Sequence, residues 1–140
     1  VRMSDEWHRE QSKVNNKFEH YQWKASGVRG YFRTVHREDE LYSVYAEEIC
    51  SSRGLWDEGK QMANCVFSYS RECRASHSAI FSLRVFELGK EKRLATIEVS
   101  LRNRTIVQAR AKRNARISQN TRRTMIAWAK EANLSIAQYV

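Results

Sequence analysis

The segment LATIEVSL, residues 94–101, alternates apolar and polar residues more strictly than any other part of the chain. One set of alternate positions holds Ala95, Ile97, Val99 and Leu101, and the other holds Thr96, Glu98 and Ser100. Successive side chains of a β-strand point to opposite faces, so this period of two predicts a strand with one buried face. A lone strand cannot bury that face, so the chain must supply partner strands.

Two neighbouring segments, SAIFSLRVF (78–86) and TIVQARA (105–111), show the same alternation. The second follows 94–101 after only three residues, 102–104, which predicts a hairpin. A three-residue loop keeps each face consistent, whereas a two-residue loop mixes the faces. The predicted cross-strand pairs are Val99 with Val107, Glu98 with Gln108, and Thr96 with Arg110. The three segments therefore predict an antiparallel meander.

Helical spacing of apolar residues surrounds this meander. It occurs over residues 4–23, 39–49, 55–74 and 117–132. In the last segment Ser118 can cap the helix, and the predicted inward positions are Thr121, Met125, Trp128 and Ala132. Helices followed by antiparallel strands and a further helix are typical of the α+β class, with helices on one face of the sheet. We therefore predict a single α+β domain over residues 1–140, in which N-terminal helices and a C-terminal helix pack with a three-stranded meander.

The chain carries a net charge of +9, and the charge is uneven. Residues 1–70 hold 10 Lys/Arg against 11 Asp/Glu, whereas residues 71–140 hold 15 against 5. Residues 102–123 contain no acid, and their basic residues are Arg102, Arg104, Arg110, Lys112, Arg113, Arg116, Arg122 and Arg123. This asymmetry indicates a polyanionic partner, nucleic acid or a nucleotide, although a merely solvated basic face would show it too.

The polar face of the meander holds the best candidates for chemistry. The predicted register places Glu98 opposite Gln108, and Arg84 joins their row if Leu83 lies opposite Val99. A carboxylate between an amide and a guanidinium can position a phosphate, a ribose or a water, with Glu98 as a general base. A solvated glutamate, or one paired with arginine for structural reasons, is the alternative.

The three cysteines favour a simpler interpretation. Cys65 and Cys73 lie eight residues apart and Cys50 lies earlier, without the closely spaced ligand pairs of a zinc site, so we predict neither a metal nor a cofactor. A catalytic thiol would need a base such as His77 and an exposed setting. The apolar neighbours of Cys65 favour core cysteines, reduced in the cytoplasm.

The order of motifs from Leu55 onward resembles the PcfJ-like family. The segments are LWDEGKQMANCVFSY, SAIFSLR, ATIEV and VQARAKRN. The matching positions are Leu55, Glu58, Gly59, Cys65, Val66, Tyr69, Arg84, Thr96, Glu98, Gln108 and Asn114. They span residues 53–118, which implies a core over 53–132 and a variable helical part over 1–52.

The resemblance also implies a context and two departures. PcfJ-like proteins are encoded on bacterial conjugative plasmids, phages and related mobile elements. The family typically has histidine where this chain has Asn64 and glycine where it has Ala111. An imidazole can move protons near neutral pH and an amide cannot, so Asn64 would keep only a hydrogen-bonding role. The resemblance places Asn64 and Cys65 beside the sheet, next to the row of Arg84, Glu98 and Gln108.

Three functional hypotheses follow from these observations. The first is a nucleic-acid or nucleotide-binding domain that uses residues 102–123. The second is an enzyme acting on a nucleotide or nucleic acid, with Arg84, Glu98 and Gln108 as its pocket and Asn64 and Cys65 beside it. The third is an interaction module that docks on a protein partner. Without an apolar run of about 18 residues, or an apolar segment in the first ten, we expect no membrane span and no signal peptide, and hence a cytoplasmic protein.

Overall fold

The structure is a computed structural model, and it describes residues 20–140. Six strands form one sheet in the order β1-β2-β3-β4-β5-β6, antiparallel except for the parallel pair β5–β6. The strands are β1 (Tyr31–Arg37), β2 (Glu40–Ile49), β3 (Ser78–Glu87), β4 (Lys90–Ser100), β5 (Thr105–Arg110) and β6 (Ser135–Ile136). The α-helices are α1 (Ser52–Met62), α2 (Ser70–Arg74) and α3 (Gln119–Ala132), and 3₁₀ turns occupy Val66–Tyr69 and Lys112–Asn114.

The α+β class and the three predicted strands are confirmed as β3, β4 and β5, but the sheet is twice as wide as predicted. The helix predicted over residues 39–49 is wrong, because this segment is β2. Glu38 and Asp39 form the turn between β1 and β2, and Glu38 has a left-handed φ of 58°. Backbone pairing with strands on both sides outweighs the helical spacing of the apolar residues.

The helix predicted over residues 4–23 lies outside the described residues as far as residue 19. Its last residues are not helical: Gln22 forms an isolated antiparallel bridge with Ser51. The backbone of Tyr21 hydrogen-bonds to both the amide and the hydroxyl of Ser52, at 2.9 Å in each case. This segment therefore runs alongside the start of α1 in an extended conformation.

The single helix predicted over residues 55–74 is broken in the structure. Ser51 caps α1 by accepting a hydrogen bond from the amide of Gly54 at 2.9 Å. The helix ends at Met62 because Ala63 adopts the left-handed conformation, with φ 51°. The side-chain oxygen of Asn64 then accepts from the amide of Val66 at 3.0 Å and starts the 3₁₀ turn. Because the helix is broken here, residues 64–66 face the sheet.

Helices cover both faces of the sheet, not one face as predicted. On β3, the adjacent residues Ile80 and Phe81 point to opposite sides. Phe81 contacts Trp128 of α3, with ring centroids 4.7 Å apart, in the larger apolar core. Ile80 packs with Leu55 of α1 in a second, smaller core. The inward residues predicted for α3 are confirmed, since Thr121, Met125, Trp128 and Ala132 are all buried.

The strand register is correct in one hairpin and wrong in the other. Glu98 pairs with Gln108 and Thr96 with Arg110, as predicted. Val99 pairs with Ile106 instead of Val107, because a bulge between Glu98 and Val99 shifts the pairing near the turn.

Leu83 pairs with Ala95, not with Val99, and Val99 pairs with Ala79. The cause is the turn between β3 and β4. Leu88 and Gly89 have φ values of 52° and 72° and close a two-residue hairpin loop, so β4 begins at Lys90. The charged residues 90–93 belong to the strand, which was predicted to begin only at Leu94.

Candidate functional site

A pocket with an empty volume of about 410 Å³ lies between the helix break and one face of β3, β4 and β5. We call it the central pocket. Its lining residues are Asn64, Cys65, Val66, Tyr69, Ile80, Thr96, Glu98, Gln108, Arg110 and Asn114. Because Ile80 pairs with Glu98 and Glu98 pairs with Gln108, these three side chains form one row across the pocket floor. Four of the five residues predicted to form a catalytic group, Asn64, Cys65, Glu98 and Gln108, therefore lie together here.

Glu98 and Gln108 are held by neighbouring hydroxyl groups. Ser78 donates its hydroxyl hydrogen to Glu98 Oε2 at 3.1 Å, and the phenol of Tyr69 donates to Gln108 Oε1 at 3.3 Å. Burial, followed by the charge of the neighbouring Glu98, raises the pKa of Tyr69 to about 12. The phenol therefore stays protonated near neutral pH and acts as a donor inside the pocket.

Asn64 is anchored at both ends of its amide. Its Nδ2 donates to Thr96 Oγ1 at 3.1 Å, while its Oδ1 accepts from the backbone amide of Val66 at 3.0 Å. Asn64 thus joins the helix break to β4 and holds the wall of the pocket in place.

Beside the pocket lies a buried carboxylate to which the sequence interpretation gave no role. Glu58 of α1 has no exposed surface, and it accepts from Ser82 at 2.8 Å, Thr96 at 2.6 Å and Arg93 at 2.6 Å. Thr96 therefore links Glu58 to Asn64, since its hydroxyl donates to one and accepts from the other. Glu58 lies three residues after Leu55, on the buried face of a helix, and this position is the sequence signal that could have identified it.

Arg84 is not in the row with Glu98, which corrects the prediction. In the observed register Arg84 lies opposite Arg93. Ile80 lies opposite Glu98, which is the position predicted for Arg84. The guanidinium of Arg84 donates to Ser82 at 2.9 Å and to Glu91 at 2.9 Å, and lies 3.8 Å from Glu58. Arg84 therefore belongs to the Glu58 network and not to the central pocket.

The cysteines occupy three different settings. Burial raises the pKa of Cys73 to about 12, and burial together with the adjacent Glu48 raises the pKa of Cys50 to about 11, so both remain thiols near neutral pH. Cys65 lines the central pocket, while His77, the base considered for it, is exposed and contacts Glu72 at 3.2 Å. Within residues 20–140, no three His, Cys, Asp or Glu side chains are grouped to hold a metal ion.

A second depression, with an empty volume of about 1130 Å³, runs along the edge of β5. We call it the basic groove. It is lined by Val107, Gln108, Ala109, Arg110, Arg116, Ile117, Gln119, Arg122, Gln138, Tyr139 and Val140. None of these described residues is Asp or Glu. Because β6 pairs only with Thr105 and Ile106, it leaves the edge of β5 beyond them open to the groove.

The eight basic residues predicted to bind nucleic acid do not form one patch. Arg110, Arg116 and Arg122 line the basic groove, with exposed Lys112 and Arg113 in the adjacent 3₁₀ turn. Arg102 and Arg104 lie at the opposite end of β5, about 20 Å away for a six-residue strand.

Two of the eight that do not line the groove have local structural contacts. Arg104 donates to the carbonyl of Ala132 at 2.6 Å and closes the end of α3. Arg123 is exposed on α3 and contacts Asn120 at 3.5 Å.

Fold and site together define an α+β protein with a polar pocket beside a basic groove. A protein-family model described as PcfJ-like protein matches residues 2–126. The chain belongs to the PcfJ-like family, over a longer stretch than the residues 53–118 on which the resemblance rested. No curated protein and no solved structure matches the chain. Among the described residues, no helix is long and apolar enough to span a membrane.

The positions that carry the family resemblance converge in space. Those that line the central pocket are Cys65, Val66, Tyr69, Thr96, Glu98, Gln108 and Asn114. Glu58 and Arg84 belong to the network beside it. The motifs that follow one another along the chain thus meet in the central pocket and in the Glu58 network that supports it.

Proposed function

We propose that this protein binds nucleic acid, or a nucleotide-like polyanion, through the basic groove. The observation that carries the proposal is the set of three guanidinium groups, Arg110, Arg116 and Arg122, in a groove whose described lining holds no acid. Arginine forks suit phosphate oxygens, and an acid-free concave surface concentrates the field of the three charges.

The state of these side chains supports the same proposal. Within residues 20–140, the side chains of Arg110 and Arg116 have no hydrogen-bond or ion-pair partner, so their donors are available to a ligand. Arg122 has one bond, to the carbonyl of Val140 at 3.0 Å, and keeps further donors. By contrast Arg84 and Arg93 are engaged with carboxylates. The side-chain donors of the groove arginines are therefore not taken up by carboxylates.

The proposal predicts a measurable salt dependence. If the three groove arginines contact three phosphates, log K falls with log salt with a slope of about −2.7 on duplex DNA and about −2.1 on single strands. Between 50 and 200 mM salt, affinity then falls by about 40-fold or 20-fold respectively.

Fluorescence anisotropy with labelled single- and double-stranded DNA and RNA at several salt concentrations tests this. The variant Arg110→Glu/Arg116→Glu should lose most of the binding and reduce the slope by about 1.4–1.8.

A matched control separates the groove from overall charge. Lys24→Glu/Arg37→Glu changes the net charge by the same amount at two exposed positions outside the groove. We expect it to bind with a slope close to that of the wild type. Equal losses in both double variants would show that the groove has no special role. A stable complex with a protein that survives nuclease treatment, together with no oligonucleotide binding, would favour an interaction module instead.

A second candidate function, favoured by the central pocket, is an enzyme acting on a nucleotide or nucleic acid. Glu98 is positioned by Ser78 and lies next to the amide of Gln108, with Cys65 and Tyr69 at the same pocket. In this role Glu98 would act as the general base or position a water. Product analysis of labelled oligonucleotides and nucleotides incubated with wild type and Glu98→Gln tests it. Turnover that is unchanged in Glu98→Gln would reject Glu98 as the base.

Family membership supports a setting for either activity. PcfJ-like proteins are associated with conjugative plasmids and phages, so we place this protein in the cytoplasm of a bacterium that carries such an element. A groove for DNA or RNA fits this setting.

A further inference from the structure

The central pocket and the basic groove share a wall. Gln108 and Arg110 line both, because they lie on β5 where its face meets its open edge. A ligand that places phosphates in the groove therefore has an adjoining cavity for a group that projects from its backbone. On a nucleic-acid strand that group is a base.

The pocket offers the two surfaces that an unstacked base requires. Val66 and Ile80 give it an apolar wall and floor, and the half-buried ring of Tyr69 adds an aromatic surface. Bases that leave the stack are held by such surfaces and are identified by hydrogen bonds to their edges.

The polar groups of the pocket form a definite pattern of donors and acceptors. Glu98 provides carboxylate oxygens, which only accept. Gln108 uses its oxygen for the phenol of Tyr69, and its amide nitrogen has no partner in the described part of the chain. Arg110 contributes only donors. The pocket therefore offers an acceptor beside a set of donors.

We infer that the central pocket binds one unstacked base that carries an exocyclic amino group, on the strand whose phosphates occupy the basic groove. The inference rests on the proposed function. The amino group of adenine, cytosine or guanine donates to Glu98, while a neighbouring ring nitrogen or carbonyl accepts from Gln108 or Arg110. The N3–H group of thymine or uracil can also donate to Glu98, but the carbonyls on both sides of it then lie close to the carboxylate oxygens and repel them. The pocket therefore binds these two bases less tightly.

The test uses labelled dT12 oligonucleotides and the matching oligo(U) series, with the central base replaced by A, C, G or an abasic site. We expect the amino-bearing bases to bind about 5- to 10-fold more tightly than the unsubstituted strand, and the abasic strand to gain nothing. Glu98→Gln should remove this preference and leave the salt slope unchanged. The matched control Glu87→Gln, at an exposed position at the end of β3, should keep both.

The outcomes separate this inference from the proposed function. Equal binding of all central bases, together with binding that Arg110→Glu/Arg116→Glu abolishes, overturns the base pocket and leaves the groove. Absence of all oligonucleotide binding overturns both. Should Glu98→Gln fail to fold, Gln108→Met removes the donor amide instead, and it must reduce the preference for amino-bearing bases.

A titration with free nucleosides, monitored by tyrosine and tryptophan fluorescence, tests binding at the pocket without the contribution of the groove, because nucleosides lack phosphate. Adenosine, cytidine or guanosine should bind the pocket more tightly than uridine. Equal effects of all four nucleosides would contradict the inference.

Discussion

Replacing Glu58 by glutamine keeps the shape of this side chain and removes its charge at the centre of the buried network. The carboxylate accepts hydrogen bonds from Ser82, Thr96 and Arg93 at 2.6–2.8 Å. An amide has one acceptor oxygen and turns an NH₂ group towards the remaining donors. The substitution therefore leaves at least one buried donor without an acceptor.

The expected magnitude follows from these contacts. Hydrogen bonds to charged groups contribute about 1.5–3 kcal/mol each, and removing one partner of a buried ion pair costs about 3–5 kcal/mol. Glutamine keeps one oxygen, and the side chains of Arg84 and Arg93 are 16% and 21% exposed, so water relieves part of the cost. We therefore expect Glu58→Gln to lower the free energy of unfolding by about 2–4 kcal/mol.

Urea denaturation followed by tryptophan fluorescence measures this loss as a shift of the midpoint by about 1–2 M. Asp57→Asn is the matched control, because it makes the same chemical change at the preceding, exposed position and should stay within about 0.5 kcal/mol of the wild type. If Glu58→Gln and Asp57→Asn have the same stability, the network does not stabilise the fold, and its proposed support of Asn64 and the pocket loses its basis.

Two further predictions concern a thiol and a turn. The pKa of Cys73 rises from its ordinary 9.0 to about 12 on folding, so the stability it contributes is fully present below about pH 9 and is lost as pH rises towards 12. At pH 10 the loss is on the order of 1 kcal/mol, which urea denaturation at pH 7.5 and 10 should detect. Cys73→Ala should remove this part of the pH dependence, and an unchanged dependence in that variant would contradict the assignment. In the turn between β3 and β4, Leu88 is 77% exposed and has a φ of 52°. Leu88→Asn should therefore raise the free energy of unfolding, measured by thermal denaturation, by about 0.5–1 kcal/mol. Gly89→Ala, at a φ of 72°, should lower it by about 1 kcal/mol, and the opposite signs would refute the turn geometry.

The strands β3, β4 and β5 could be predicted because their pattern is local. Each has an apolar face that must meet the core, and the pairing of Glu98 with Gln108 is the one that keeps this face consistent. β2 could not be predicted in the same way. Leu41, Val44 and Ile49 fit a helical spacing, whereas in the strand Val44 lies on the opposite face from Leu41 and Ile49, so no alternation marks it. Its backbone hydrogen bonds go to β1 and β3, which are distant from one another in sequence.

The site shows the same division. Glu98 and Gln108 were placed together by the hairpin, and the family resemblance placed Asn64 and Cys65 near them. Arg84 was misplaced because the two-residue turn at Leu88 and Gly89 sets a register that the charged residues 90–93 concealed. Glu58 received no role because its partners come from β3 and β4, and only packing brings them to α1.

By itself the sequence determined the alternating strands, the capped C-terminal helix, the excess of positive charge and the motif order of the PcfJ-like family. These properties depend on residues close together in the chain or on composition. Only the tertiary structure decided that the basic residues divide between the two ends of β5, and that a carboxylate is buried between two arginines. Both outcomes depend on strand register and on packing between distant segments, because the position of a charge in space is set by its neighbours in the fold and not by its neighbours in the chain.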